Sequence, residues 1–171
     1  IWSVGCFVAE MFLGKPLFMS SSETEQLPLI IERLGLPTEQ SWPWGAKCLK
    51  GNRYLEDAVN IYKKKEKADS RFGKLRLREY LDDFAARVRT NDGIGSVWAK
   101  MIDAKAIDLI VNMLQLDPAK RLTADEALAH AYFTEEPLPC DLESMPEITG
   151  EYKELGTRQK RQAEREAAKA A

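Results

Sequence analysis

The sequence holds one histidine, His130, and three widely separated cysteines, Cys6, Cys48 and Cys140. Nucleophilic catalysis would need a nucleophile and a carboxylate held around His130, and a metal site would need further ligands near it. Neither spacing surrounds Ala129-His130-Ala131-Tyr132, so His130 reads as a helix-end histidine with a structural hydrogen bond. The cysteines form no C-x-x-C pair. An odd, sparse set argues against a disulfide framework or a zinc site and for free thiols in a reducing compartment. Phosphate chemistry would need a loop of backbone amides. The nearest approach, Gly93-Ile94-Gly95-Ser96, lacks a third glycine and no strand precedes it. No catalytic, cofactor-binding or metal-ligating residue is assigned.

Composition narrows the classes further. A chain of 171 residues suits one ordinary domain, and 44% hydrophobic residues can furnish its core. A net charge of -2 gives no strong pull toward nucleic acid or a membrane surface, and neither is expected as a partner. The longest apolar run, residues 1–13, is too short to span a bilayer. It has no basic leader or small-residue cleavage site, so it is not read as a secretory signal.

The elements that would carry function are helical. Residues 1–13 are apolar on nearly all sides, which predicts a helix surrounded by protein; Gly14-Lys15-Pro16 stops it. Ser22 and Glu25 spell a capping box. Leu27, Ile30, Ile31 and Leu34 then mark one helical face, closed by Gly35 and Pro37. Pro28 should distort the first turn or delay the start of that helix. Residues 38–95 read as an irregular insertion with one or two helical turns, among them 77–84. Trp42-Pro43-Trp44-Gly45 reads as a turn with aromatic anchors, and the charged run 63–67 as a solvated face or loop. Asp103 can cap a helix whose face is Ile107, Ile110, Val111 and Leu114. Thr123 and Glu126 make a second capping box, followed by an inner face of Ala124, Ala127, Leu128 and Ala131. Beyond Phe133, Glu135-Glu136-Pro137-Leu138-Pro139-Cys140 cannot be helical. The charged, alanine-rich end after Glu151, with Arg158 to Arg165, reads as a solvated helix. No strand is predicted, so the fold class is all-α.

Three segments in order resemble protein kinases. Ile1-Trp2-Ser3-Val4-Gly5-Cys6 with Glu10 matches the helix motif D-x-W-S-x-G-C-x-x-x-E after its leading Asp. Gly14-Lys15-Pro16-Leu17-Phe18, Glu23-Thr24-Glu25-Gln26-Leu27, Leu34-Gly35-Leu36-Pro37-Thr38 and Trp42-Pro43 resemble cyclin-dependent kinases. Leu114-Gln115-Leu116-Asp117-Pro118-Ala119-Lys120-Arg121-Leu122-Thr123-Ala124, then His130-Ala131-Tyr132-Phe133, resemble the kinase ending L-x-x-D-P-x-x-R-x-T-A. Glu136-Pro137-Leu138-Pro139-Cys140-Asp141, Met145-Pro146, Glu151-Tyr152 and Arg158-Gln159-Lys160-Arg161-Gln162 resemble the transcription-associated, plant-type class. Met19-Ser20-Ser21 replaces that family's usual Pro-Gly turn.

The resemblance implies a truncated kinase-like large lobe over residues 1–133, with its insertion at about 38–95, and a C-terminal extension over 134–171. It implies a nuclear serine/threonine kinase acting on RNA polymerase II C-terminal repeats, with ATP, magnesium and a cyclin in the full-length protein. This chain itself would be inactive, because it lacks the ATP-binding and catalytic motifs. Asp83-Phe84-Ala85 and Met145-Pro146-Glu147 mimic D-F-G and A-P-E. A kinase places H-R-D upstream of D-F-G, and His130 lies downstream, so both matches are accidental.

Trp2, Gly5 and Arg121 are the structural residues the resemblance points to. Trp2 and Phe7 would pack under the catalytic loop. Arg121 would pair with the A-P-E glutamate, which this chain lacks. Losing such a partner costs about 3–5 kcal/mol if the arginine stays buried; otherwise Arg121 should turn to solvent on its stem. Trp42 and Trp44, with the 63–67 run, lie where the family docks partners. Two functions follow: a piece of a true kinase, or a non-catalytic helical binding module derived from one.

Overall fold

The computed structural model describes residues 1–68, 76–91, 95, 98–136, 138 and 142–144. Every regular element among them is helical. The chain divides into residues Ile1–Glu136 and Pro137–Ala171. In the second unit the described residues include a short 3-10 turn, Leu142–Ser144; the terminal run after Glu151 and the Met145-Pro146-Glu147 tripeptide lie outside the described residues.

Helix α1 (Trp2–Leu13) ends at Gly14, whose φ of 70° lets its amide reach back to the Glu10 carbonyl. Gly5, Ala9, Phe12 and Leu13 are buried on one side. The opposite side is apolar and open: Val4 is 49%, Phe7 63% and Met11 44% exposed. The apolar helix is therefore covered by protein on one face and exposed on the other. Among the described residues α1 packs chiefly against helix α6 (Ala104–Met113).

Helix α2 (Glu23–Leu34) begins after Ser22 as the spacing indicated, but the capping box does not form. The Ser22 hydroxyl shares a hydrogen bond with Thr24 Oγ1 at 3.1 Å instead of holding a backbone amide. Pro28 neither delays nor ends the helix. It lies inside α2, fully buried, where the missing N–H is tolerated because its ring joins the core side.

The insertion is far more ordered than its sequence suggested. It holds helices α3 (Pro43–Cys48), α4 (Arg53–Ala68) and α5 (Leu77–Thr90). In α5, Leu77, Leu81, Phe84, Ala85 and Val88 are all buried. That i, i+4, i+7, i+8, i+11 stripe is a helical face hidden among six charged positions between Arg78 and Arg89. Asp83-Phe84-Ala85 sits inside this helix; Asp83 pairs with Arg87 at 2.9 Å and Phe84 fills the core.

Helix α6 is capped by Asp103, which accepts from the Ala106 amide at 2.8 Å. Its Ile107 and Ile110, with Leu114 just beyond, pack with α1, α5 and the 3-10 turn Ala99–Met101 into the main core. The Thr123–Glu126 capping box is complete at the head of helix α7 (Ala124–Leu128). The inner face expected there is corrected: Ala127 is buried, but Ala124 is exposed and Leu128 is 70% exposed. The helix stops after five residues, and the chain turns into helix α8 (Ala131–Thr134) before the period can continue. Among the described residues no helix is long and apolar enough to cross a membrane.

Candidate functional site

At one end of α1 three signature residues meet. The Trp2 ring stacks on Phe18, with centroids 6.3 Å apart and planes 10° apart. The Arg121 guanidinium lies 5.0 Å from the centre of the Trp2 ring. Arg121 Nε donates to the Gln115 carbonyl at 3.0 Å, and Nη2 to the Leu116 carbonyl at 3.4 Å. Those carbonyls follow the C-terminus of α6, where a cation complements the helix dipole. So Arg121 is neither an unpartnered buried charge nor turned fully to solvent, and both expectations are corrected. Trp2 is half-buried, and Phe7 is exposed. Gly5 is the point where α1 and α6 touch; a Cβ there would lie 2.8 Å from Met113 Cβ.

A second cluster escaped the sequence reading. Asp108 on α6 accepts from Arg78 Nη2 of α5 through Oδ1. Its Oδ2 accepts from Asn112 Nδ2 at 3.0 Å and meets His130 Nε2 at 3.2 Å. His130 Nδ1 in turn accepts from the Tyr132 amide at 3.2 Å and caps α8. That contact fixes the tautomer: Nδ1 bears the lone pair, so Nε2 carries the proton toward Asp108. Partial burial pushes the Asp108 carboxyl up. The hydrogen bonds from Arg78 and His130 outweigh it and hold the group below the usual carboxylate range. One aspartate thereby ties α5, α6 and α8 together. The available signal was the i, i+4 pairing of Asp108 with Asn112; the other partners lie 30 and 22 residues away.

The aromatic anchors lie elsewhere. Trp42 precedes α3 and folds over Gly45, where any Cβ would collide with its ring. Trp44 stands 5.5 Å from it, centroid to centroid, and is 66% exposed. Trp42 borders a cleft of about 680 Å³ between the C-terminus of α2, helix α4, the start of α5 and the loop after α6. Lys63 of the charged run reaches the same cleft, while Trp44 does not line it. The rest of that run continues along α4 as a largely exposed helical face. Arg76 braces the cleft by donating through Nη1 to the Ile31 and Glu32 carbonyls, each at 3.2 Å. Tyr62 donates to Glu66 Oε1 at 2.8 Å; burial first, and then that bond, push its hydroxyl up.

The geometry matches a known family. The protein kinase domain matches residues 1–133. The chain belongs to the protein kinase family. Its relatives are cyclin-dependent kinases: it is 35% identical to cyclin-dependent kinase C-1 of Oryza sativa subsp. japonica over its whole length, covering 27% of that protein. Against cyclin-dependent kinase C-1 of Arabidopsis thaliana it is 34% identical over 95% of the chain and 26% of the relative. The yeast RNA polymerase II CTD kinase CTDK-1 complex superposes with a TM-score of 0.51 and 26% identity, over 82% of this chain and 38% of that one. The Chaetomium thermophilum CAK complex bound to ATP-gamma-S gives 0.54 and 29%, over 85% and 36%.

The all-α arrangement is thus the helical C-terminal part of a kinase large lobe, and its relatives are cyclin-dependent kinases. The chain spans about a quarter of the length of the curated relatives it matches. Among the described residues no group of three or more His, Cys, Asp or Glu is gathered to hold a metal ion. The D-F-G mimic is helical, with Phe84 buried and Asp83 committed to Arg87. Gly95 is described, but its neighbours Gly93, Ile94 and Ser96 lie outside the described residues.

Proposed function

We propose that this chain is the C-terminal portion of the large lobe of a serine/threonine protein kinase. In full-length form that kinase transfers the ATP γ-phosphate to protein, with magnesium and a cyclin, in the nucleus. The transcription-associated relatives favour RNA polymerase II C-terminal repeats as its substrate. The observation that carries this reading is the one-sided packing of α1. Val4, Phe7 and Met11 are apolar and exposed on a helix whose other face is locked into the core. A hydrophobic stripe of that kind is what a lobe interior presents when further chain covers it.

Kinase catalysis is positioning and charge stabilisation around phosphate, and the groups that would do this are not in this chain. The test compares two proteins in a phosphate-transfer assay on a serine-repeat peptide. The 171-residue chain alone gives no turnover. The same chain joined to an upstream segment bearing H-R-D, D-F-G and A-P-E, with a cyclin, gives turnover. Turnover by the chain alone overturns the reading.

A second reading has its own support. Arg121 is satisfied by the carbonyls of Gln115 and Leu116, and Asp108 closes the α5–α6–α8 corner from within. Such self-contained corners suit a non-catalytic helical binding module. That module would melt cooperatively as a monomer; a molten, dye-binding state would count against it.

A further inference from the structure

His130 is held at both ring nitrogens. Nδ1 accepts from the Tyr132 amide at 3.2 Å, and Nε2 meets Asp108 Oδ2 at 3.2 Å. An atom that accepts from a backbone N–H carries a lone pair, so the neutral ring has its one proton on Nε2. Only Nδ1 can take up a second proton. Asp108 accepts from Nε2 in either charge state, so the cost of the added proton falls on the Tyr132 amide. Once protonated, Nδ1 is itself a donor and stands donor against donor with that amide. Solvent can reach the ring, because the His130 side chain is 14% exposed.

The start of α8 depends on that contact. The helix has four residues, Ala131–Thr134, and the His130 ring caps it. A helix this short has little of its own to hold it. Tyr132 lies in its first turn, packed against both core clusters and edge-on to Phe133 at 4.9 Å. The other end is fastened separately, by the Lys105–Glu135 ion pair at 2.7 Å. The charged and titratable groups on the packed elements are Arg78 on α5, Asp103, Lys105 and Asp108 at α6, Asp125 and Glu126 on α7, and Tyr132 and Glu135 at α8. Of these side chains only Asp108 bonds the ring, and Arg78 acts through it. Burial first, and then Asp103, push the Tyr132 hydroxyl up, so it stays neutral.

We propose that His130 is a proton-operated latch on α8. In its neutral form the ring caps the helix and seats Tyr132. When Nδ1 takes up a proton, the Tyr132 amide is released and the first turn of α8 loosens, while the Lys105–Glu135 pair keeps the far end in place. The working range is that in which imidazoles exchange their proton, about pH 5 to 8. The capping box of α7 does not respond there. The bonds from the Thr123 backbone and hydroxyl hold the Glu126 carboxyl below its ordinary range, so it remains a carboxylate throughout. The latch concerns this chain's own fold and holds under either reading of its function.

The test is an NMR titration of the full chain from pH 8 to pH 5. His130 is the one histidine in the sequence, so its ring signals are unambiguous. At pH 8 the ring nitrogens show the Nε2–H tautomer. As the ring takes up its proton, the Tyr132 amide signal moves with the same midpoint. Hydrogen-exchange protection of that amide, taken relative to the capped Ala106 and Glu126 amides, falls by about fivefold or more, the size expected for losing one cap. His130→Asn supplies an oxygen that caps but takes up no proton, and it abolishes the step at Tyr132. If circular dichroism shows His130→Asn to be unfolded, the ratio of Tyr132 to Ala106 and Glu126 in the unsubstituted chain decides. An Nδ1–H tautomer at pH 8, a Tyr132 amide that ignores the ring titration, an equal loss of protection at Ala106 and Glu126, or a step that survives in a folded His130→Asn chain overturns the proposal.

Discussion

Replacing Gly5 with alanine would place a Cβ 2.8 Å from Met113 Cβ and 3.1 Å from the Cγ and Cδ2 of Leu114. Met113 and Leu114 are both almost fully buried, so neither has room to withdraw. Their contact point is near the backbone of α6, and relief requires the two helices to move apart. Overpacking of this kind costs about 1–3 kcal/mol. Against it stands the gain of about 1 kcal/mol for replacing glycine inside a helix. The net expectation for Gly5→Ala is a loss of about 0–2 kcal/mol. Gly5→Val adds two further methyl groups at the same contact and a β-branched side chain, so it should lose more, about 2–3 kcal/mol. Urea unfolding of the full chain, followed by circular dichroism, reads this directly. With a slope of about 2 kcal/mol per molar urea, Gly5→Val should lower the midpoint by about 1 M or more. If Gly5→Ala raises the midpoint, and Gly5→Val leaves it unchanged, the close approach of α1 and α6 at this residue is wrong.

Two further outcomes follow from the same geometry. Asp108→Ala removes the acceptor for Arg78, Asn112 and His130 and should destabilise the chain by about 1–2 kcal/mol near neutral pH, a modest figure because the side chain is 44% exposed. Because the Asp108 carboxyl is held below its ordinary value of 3.8, its contribution is fully present above about that pH and is lost as pH falls through the lower folded value. The gap between wild type and Asp108→Ala in urea melts should therefore close at strongly acid pH, and a gap that widens there would contradict the assignment. Phe7→Ser, on the exposed side of α1, should change chain stability by less than about 0.5 kcal/mol while reducing binding of a hydrophobic dye; a large loss of stability would mean that Phe7 is packed after all.

Much of the architecture could be read from local pattern. Asp103 and Thr123 cap their helices because a short acceptor three residues before an amide needs no distant partner. Gly14 ends α1 for a similarly local reason, its left-handed φ. The capping box at Ser22 spelled the right start but the wrong bond, since the nearby Thr24 hydroxyl competes for the same oxygen. Helices α4 and α5 are hard to read in the sequence because their exposed sides are crowded with charge. Their buried stripe, Ala58 and Tyr62 in one and Leu77 to Val88 in the other, is narrow and easily masked in an average.

The amino-acid order alone settled the class, the end of α1, the caps at Asp103 and Thr123, and the family, because motifs and caps act over a few neighbouring residues. Only the tertiary structure decided where charge and surface would gather. Asp108 meets Arg78 and His130 across 30 and 22 residues. It also decided that α1 is half covered and that Arg121 finds its partners in carbonyls. Those outcomes depend on which helices press together, and packing between distant segments leaves no spacing in the chain to read.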